Sequence, residues 1–198
     1  LVNYMARLGH YYKDDYLMSV DELAEKFSME NLGRSPAKYD EKQLHRYQHL
    51  AVQALSLEAL QAWLGAETLE HVPEDHLEQF LTTIHPNITF PVDAARWADV
   101  FYGHGPKWDD ENTEIIKGAG AAFFELAMSA SQKNNDDIKA ISDQIKAEMK
   151  VKGKQLFWPL RVALTGQTHG PEMASIAALL GEKKIRQCFE QAVEIANH

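Results

Sequence analysis

The sequence lacks three features that would each define a class of protein. Cys188 is the only cysteine among 198 residues, so the chain cannot form an internal disulfide or a thiolate metal cluster. No apolar run approaches the roughly 20 residues that a membrane-spanning helix needs, and no charged segment followed by an apolar one indicates a secretory leader. These absences predict a soluble, cytoplasmic protein with no membrane partner.

Cations are also scarce in the chain as a whole. Its 20 Lys and Arg residues stand against 29 Asp and Glu, a formal net charge of −9, which argues against a uniformly basic surface that coats nucleic acid. Between Lys146 and Arg186, however, eight Lys or Arg face three Glu, a local charge of +5 that leaves −14 for the rest. This concentration favours oriented docking of an anion, and the alternative is that these are ordinary solvated residues near helix ends.

No stretch alternates between apolar and polar residues for long enough to predict a strand. Apolar residues instead recur at helical spacing, between capping residues and helix breakers, along the whole chain. Because 45% of the residues are hydrophobic, the chain can bury a sizeable core. We therefore predict an all-α fold, a bundle of about ten helices, in two domains that cover residues 1–65 and 66–198.

Several helix boundaries follow from single residues. Pro91 and Pro159 are predicted at the first position of a helix, where the missing N–H costs nothing. One long helix is predicted to run from Asp109 through Leu126, with residues 134–136 separating it from the next, and Gly181 is predicted to end a further helix. The predicted N-capping residues are Ser19, in a capping box with Glu22, then Asp40 and Ser56, and for the long helix either Asp109 or Asp110.

No set of residues predicts an active site or a metal centre. His45 and His49 have the i, i+4 spacing of helical zinc ligands, but position 46 is Arg, where a zinc-protease motif has its catalytic glutamate. Gly118 and Gly120 form a GxG that lies in a predicted helix and follows no strand, so a phosphate-binding loop is not indicated. The sequence therefore predicts a binding role and leaves the ligand open.

Three ordered groups of motifs resemble the bacterial glutamyl-tRNA synthetases, which are class I aminoacyl-tRNA synthetases. LVNYMARLG from Leu1 is similar to the segment after that family's KMSKS loop, and SPAKYDEKQL from Ser35 to its short proline–aspartate motif. The third group resembles the family's C-terminal signature and consists of PLRVALTG from Pro159, GPEM from Gly170, LLG from Leu179 and KKIRQCFEQA from Lys183. The resemblance spans essentially the whole chain.

The resemblance implies the tail of a stem-contact domain followed by an all-helical anticodon-binding domain. It also implies that the chain is a fragment, because the family's Rossmann catalytic domain, where ATP, Mg and glutamate are expected, is absent from it. The whole enzyme would attach glutamate to tRNA(Glu) as a monomer, and this part would grip the inner corner and the anticodon without catalytic residues or cofactors of its own. The alternative is a helical protein-interaction module that does not bind RNA.

The residues predicted to bind tRNA are Arg96, Trp97, Asp99, Lys150, Lys152, Lys154, Trp158, Arg161, Lys183 and Arg186. An indole near a loop can stack on an unpaired base, although burial in the core is the commoner fate of tryptophans such as Trp97, Trp108 and Trp158. Family members that reject tRNA(Gln) tend to have an arginine where an alignment on Phe101-Tyr102 places Asp99. The resemblance therefore implies relaxed discrimination, with tRNA(Gln) as a second partner.

Overall fold

The computed structural model of the chain describes residues 1–134 and 137–198, and within these ranges it contains eleven α-helices and no β-strand. The helices are α1 Val2–Leu8, α2 Val20–Glu25, α3 Glu41–Gln53, α4 Leu57–Thr68, α5 Leu77–Ile84, α6 Pro91–Tyr102, α7 Asp110–Ala119, α8 Ala121–Lys133, α9 Ile138–Met149, α10 Lys154–Thr165 and α11 Met173–Ala196. Short 3₁₀ turns lie at Met29–Asn31, Glu74–His76 and His85–Asn87. The predicted all-α fold is confirmed.

Side-chain caps begin the helices at the predicted residues. The Ser19 hydroxyl accepts from the Glu22 amide at 3.1 Å, and the Glu22 carboxylate accepts from the Ser19 amide at 2.7 Å, which completes the capping box. Pro91 is the first residue of α6. The side chains of Asp40, Ser56 and Asp109 each accept from the amide three residues later, those of Gln43, Ala59 and Asn112.

Two predicted boundaries in the second half of the chain are wrong. Gly120, with a φ of +81°, separates α7 from α8, so the predicted single helix from Asp109 to Leu126 is two helices. Pro159 lies inside α10, because the amides of Leu156 and Phe157 donate to the Gly153 carbonyl and begin the helix a turn earlier. Gly181, with a φ of +70°, breaks α11 as predicted. Of the predicted separator at 134–136, residues 135 and 136 lie outside the described residues.

A continuous cluster of buried apolar side chains runs from Val52 to Ala192. Its centre is α11, which packs against α7, α8 and α10, and its large buried rings are those of Phe80, Phe101, Phe123, Phe124 and Phe189. A smaller set of buried side chains, Tyr4, Met18, Leu23 and Tyr47, lies in the first 50 residues and outside that cluster. No helix in the described ranges has the length and apolar content to cross a bilayer.

The C-terminal end of α10 lies against the chain just before α7. Gly166 ends the helix in the left-handed conformation, with a φ of +67°, and its Cα faces the backbone carbonyl of Lys107 so closely that a Cβ would overlap the oxygen. A side chain at this position would therefore be both strained and obstructed.

Replacing Gly166 by Ala should lower the free energy of unfolding by about 2 kcal/mol or more, because of the positive φ and the overlap with Lys107. The matched control is Gly118→Ala, in the helical part of α7 with open space around the new Cβ, which should be neutral or stabilising by up to about 1 kcal/mol. Urea unfolding followed by far-ultraviolet circular dichroism measures both. Equal midpoints for the two variants would contradict the close approach.

Candidate nucleic-acid interface

A groove of about 790 Å³ opens where α6, the start of α7 and the α10–α11 loop meet. Helix α6 contributes Arg96 and Asp99, which are three residues apart and so share one face of the helix. The α6–α7 loop contributes Lys107 and Trp108. The remaining polar lining comes from Asp109, Glu111, Asn112, Thr165, Gln167, Thr168 and His169.

Asp99 holds the α6–α7 loop in place. Its carboxylate accepts from the His104 amide at 3.0 Å, lies 2.8 Å from His104 Nδ1, and pairs with Lys107 Nζ at 2.8 Å. The Lys107 ammonium and then the His104 amide hold the pKa of Asp99 far below its ordinary value of 3.8. The Asp99 backbone carbonyl also accepts from the amides of Gly103 and Gly105. Asp99 is thus ionised in the folded chain, and its charge is already paired.

The α10–α11 loop is tied down by side chains that bond to main-chain atoms. Trp108 Nε1 donates to the Val162 carbonyl at 2.8 Å, and Asn112 Nδ2 donates to the Gly166 carbonyl at 2.9 Å. Arg161 Nη1 donates to the Pro171 carbonyl at 2.7 Å. These bonds fix the loop at its beginning and at its end, so that residues 167–169 between them are presented on a rigid frame.

Four groove side chains that can donate a hydrogen bond are left without a partner. Those of Arg96, Gln167, Thr168 and His169 form no hydrogen bond or ion pair with any residue that the structure describes. Together they offer a cation, an amide with both donor and acceptor atoms, a hydroxyl and an imidazole. The groove as a whole is not basic, because Asp99, Asp109 and Glu111 balance its cations. It therefore suits a polar, planar group better than a bare phosphate.

Trp97 and Arg161 support the groove instead of lining it. Trp97 is 3% exposed, stacks on Phe101 with the ring centroids 5.6 Å apart, and touches Gly170, where a Cβ would lie 2.6 Å from the indole. Burial lowers the pKa of the Arg161 guanidinium, which is committed to Pro171. For Trp97 the structure matches the core alternative, since neither face of its ring is open to a base.

Trp158 lies in the N-terminal half of α10, beside a second and more apolar groove of about 340 Å³ between α7 and α10. Lys154 Nζ is 4.5 Å from the centre of the Trp158 ring, a cation–π contact. Lys150 and Lys152 are exposed in the connection between α9 and α10. Trp158 with Lys154, and Lys150 and Lys152 just before them in the chain, make up a surface distinct from the groove, which we call the Trp158 patch.

The structure does not bring all the predicted cations together. Lys150 follows the C-terminal end of α9, whereas Glu182, which pairs with Arg186 at 2.9 Å, lies near Asp137 and Lys139 at the N-terminal end. A helix of 12 residues is about 18 Å long, so Lys183 and Arg186 are separated from the Trp158 patch. Their neighbour Lys184 donates to the Phe101 carbonyl, in the last turn of α6, at 2.6 Å.

Sequence reasoning missed Lys107, Asn112 and residues 167–169. The signals for them were present in the two loops GHGPKW and GQTHG, in which glycines flank polar or aromatic side chains. Nothing in the sequence showed that these loops meet, because Asn112 and Gly166 are 54 residues apart.

Comparison with known proteins identifies the family of the chain. Residues 55–193 match a protein-family model described as an anticodon binding domain. The chain belongs to the anticodon-binding domain family. This membership favours RNA binding over the alternative of a helical protein-interaction module.

The curated relatives of this anticodon-binding chain are glutamate–tRNA ligases. Glutamate–tRNA ligase 2 of Nitrosococcus oceani is 39% identical over 194 residues, which are 98% of this chain and 41% of the relative. Glutamate–tRNA ligase 1 of Coxiella burnetii is 38% identical, over 98% of this chain and 42% of the relative. The chain thus spans about two fifths of their length, and the resemblance to glutamyl-tRNA synthetases is confirmed.

The fold of the chain is also found in solved structures. A crystal structure of a glutamate tRNA ligase from Elizabethkingia meningosepticum, in complex with its amino acid, superposes with a TM-score of 0.70. The match covers 98% of this chain and 40% of that one, at 17% sequence identity. At this identity the likeness concerns the fold alone.

Replacing Asp99 by Asn should lower the free energy of unfolding by about 1 kcal/mol at neutral pH, because charge-assisted bonds to the loop become neutral ones. Since the folded-state pKa is lowered, Asp99 contributes its full stabilisation above the ordinary pKa and loses it as pH falls. The difference between Asp99→Asn and wild type should therefore shrink from about pH 5 towards pH 2. Urea unfolding across this range measures it.

The control for this prediction is Asp143→Asn, an exposed carboxylate on α9, which should change stability by less than about 0.5 kcal/mol at every pH. A destabilisation by Asp99→Asn that stays constant down to the lowest pH would show that ionisation of Asp99 does not hold the loop.

Proposed function

We propose that this chain is the tRNA-binding part of a glutamate–tRNA ligase and that the groove receives unpaired anticodon bases. The observation that carries the proposal is the set of four unpartnered side chains, Arg96, Gln167, Thr168 and His169, on a rigid frame in an anticodon-binding family. Proteins read RNA sequence mainly in single-stranded loops, through hydrogen bonds to the edges of splayed bases. The groove offers partners of that kind.

The charges of the groove support base edges as the bound groups. Asp109 and Glu111 repel a phosphate but accept from exocyclic amino groups, while Arg96 and Gln167 donate to base carbonyls. Asp99 and Lys107 already form an ion pair, so neither the Asp99 carboxylate nor the Lys107 ammonium needs a partner from the RNA. We infer that base recognition and phosphate binding are assigned to different surfaces of the chain.

The Trp158 patch is the proposed phosphate-binding surface. Lys150, Lys152 and Lys154 can neutralise phosphates, and the partly exposed Trp158 ring can carry a stacked base. Lys154 already lies over the ring, so it would bind a phosphate next to the stacked base. The proposed surface does not include Lys183 and Arg186.

The activity of the whole protein follows from its relatives and is part of the proposal. The relatives are glutamate–tRNA ligases, and we propose ATP-dependent attachment of glutamate to tRNA(Glu) by a monomer. ATP and Mg would bind outside these 198 residues, and no cluster of three His, Cys, Asp or Glu suited to a metal lies within the described ranges. We propose that residues 1–65 contact the stem of the tRNA and residues 66–198 its anticodon.

We also propose tRNA(Gln) as a second substrate of the ligase. Asp99 occupies the position where the resemblance led us to expect an arginine. Its carboxylate pairs with Lys107 and His104. Arg96, one turn earlier on α6, forms no ion pair with any residue that the structure describes. Glutamylation of tRNA(Gln) by the full-length ligase, at a rate near that for tRNA(Glu), is the expected result. Rejection of tRNA(Gln) would remove this second substrate and leave the groove proposal intact.

Loss of a groove side chain should weaken binding of the anticodon stem-loop to the full-length ligase. Arg96→Ala and Gln167→Ala should each cost about 1–3 kcal/mol, or roughly tenfold to a hundredfold in Kd, as expected for a lost base contact. The control is Lys139→Ala, an exposed cation on α9 away from the groove, with an unchanged Kd expected. Fluorescence anisotropy measures all three. Equal affinity for wild type and both groove variants would refute the groove.

The Trp158 patch should be visible in the salt dependence of binding. The slope of log K against log salt is negative, and each phosphate contact that is lost reduces its magnitude by about 0.7 for single-stranded RNA. The double variant Lys152→Ala/Lys154→Ala should therefore bind whole tRNA more weakly and with a flatter slope than wild type. The double variant Lys183→Ala/Arg186→Ala removes the same charge and should leave the slope unchanged. Identical slopes for both double variants would exclude the patch.

A further inference from the structure

Helix α3 belongs to both parts of the molecule. Its Tyr47 is buried with the small N-terminal set, whereas its Val52, 2% exposed, belongs to the main core. On one side α3 packs against α1, and on the other against the turn at His85–Asn87. The arrangement of the N-terminal residues relative to the later helices therefore depends on how α3 meets that turn.

Four hydrogen bonds join α3 to the segment between α5 and α6. The longest links His49 Nδ1 to Thr89 Oγ1 at 3.3 Å, and the other three end on main-chain carbonyls. His85 Nε2 is 2.8 Å from the Val52 carbonyl, and in return Gln53 Nε2 donates to the His85 carbonyl at 2.5 Å. His49 Nδ1 is 3.1 Å from the Ile88 carbonyl. We call the five residues of these three bonds the α3 joint. Since a carbonyl can only accept, both imidazole nitrogens carry the hydrogen in these bonds.

The α3 joint connects side chains to main-chain atoms, and so it fixes backbone positions. Val52 is in the last turn of α3, and His85 directly follows α5, so the accepting carbonyls include groups that a helix end leaves without an internal partner. Ile88 lies three residues before Pro91, where α6 begins. The joint thereby anchors α3 to the segment that leads into α6, the helix that carries Arg96 and Asp99, while Pro91 and the Asp93 carboxylate begin that helix independently of the joint.

We propose that His49 and His85 are positioning residues that align the N-terminal part of the chain with the groove, so that both engage one tRNA at once. The inference rests on the function proposed above. Two contacts on the same ligand strengthen each other only when their geometry allows simultaneous binding. A loosened joint would leave each contact intact and weaken their combination.

The experiment compares two RNAs on the full-length ligase, whole tRNA(Glu) and its isolated anticodon stem-loop. His85→Ala and His49→Ala should each raise the Kd for whole tRNA about tenfold, because the coupled contact is lost, and change the Kd for the stem-loop by less than about twofold. His85→Gln and His49→Asn keep a donor nitrogen near Nε2 and Nδ1, and they should restore most of the affinity. His71→Ala, an exposed histidine in a turn, is the matched control.

A purely local structural role predicts a different result. In that case the alanine variants would melt at lower temperature, while the ratio of the two Kd values stayed at its wild-type value, and the proposal would be overturned. Should His85→Ala not fold, His49→Ala and the two conservative variants still give the ratio. Failure of wild type to bind either RNA would instead overturn the proposed function, and this inference with it.

Discussion

The contact between the end of α10 and the chain before α7 is the constraint on which the groove depends. The Val162 carbonyl accepts both from the Gly166 amide, which ends α10, and from Trp108 Nε1, which belongs to the α6–α7 loop. Asn112 then holds Gly166 from the start of α7. The end of α10 is thus joined, at the carbonyls of Val162 and Gly166, to the α6–α7 loop and the start of α7, each 54 residues away in the sequence. Without this contact the α6–α7 loop, the start of α7 and the α10–α11 loop would no longer be held together as the lining of the groove.

An acidic chain can bind RNA when base recognition and phosphate binding take place on different surfaces. In the groove, cations and carboxylates are nearly balanced and two of them are already paired, so long-range attraction for phosphate is weak there. The groove beside Trp158 has Lys154 and no carboxylate among its lining residues. A backbone held at the patch would bring bases to the groove, which lies about 10 Å further along α10, the rise of a helix from Trp158 to Thr165. The overall charge of −9 is then compatible with selective binding.

Local signals in the sequence predicted the helices well, and long-range contacts limited the rest. Capping by Ser19, Asp40 and Ser56 depends only on residues three positions apart and was predicted correctly, and Asp109 was one of the two caps predicted for its helix. The placement of Trp97 depends on Gly170, in a loop more than 70 residues later, which no local pattern reveals. The same limitation applies to the cations. Arg186 and Lys150 were predicted to share one surface because they lie in the same part of the sequence, but the fold places them at opposite ends of α9. The family was predicted because motifs in fixed order preserve information about the fold that periodicity alone does not.

The supports of the α10–α11 loop bond to carbonyls of Val162, Gly166 and Pro171, and none of them bonds to the side chains of residues 167–169. Main-chain atoms are the same whatever residue occupies a position. Mutation can therefore exchange Gln167, Thr168 or His169 without removing a bond that holds the loop. In evolutionary terms, such a loop can acquire a new preference among RNA bases at little cost in folding stability, which makes it a place where specificity can diverge between related proteins.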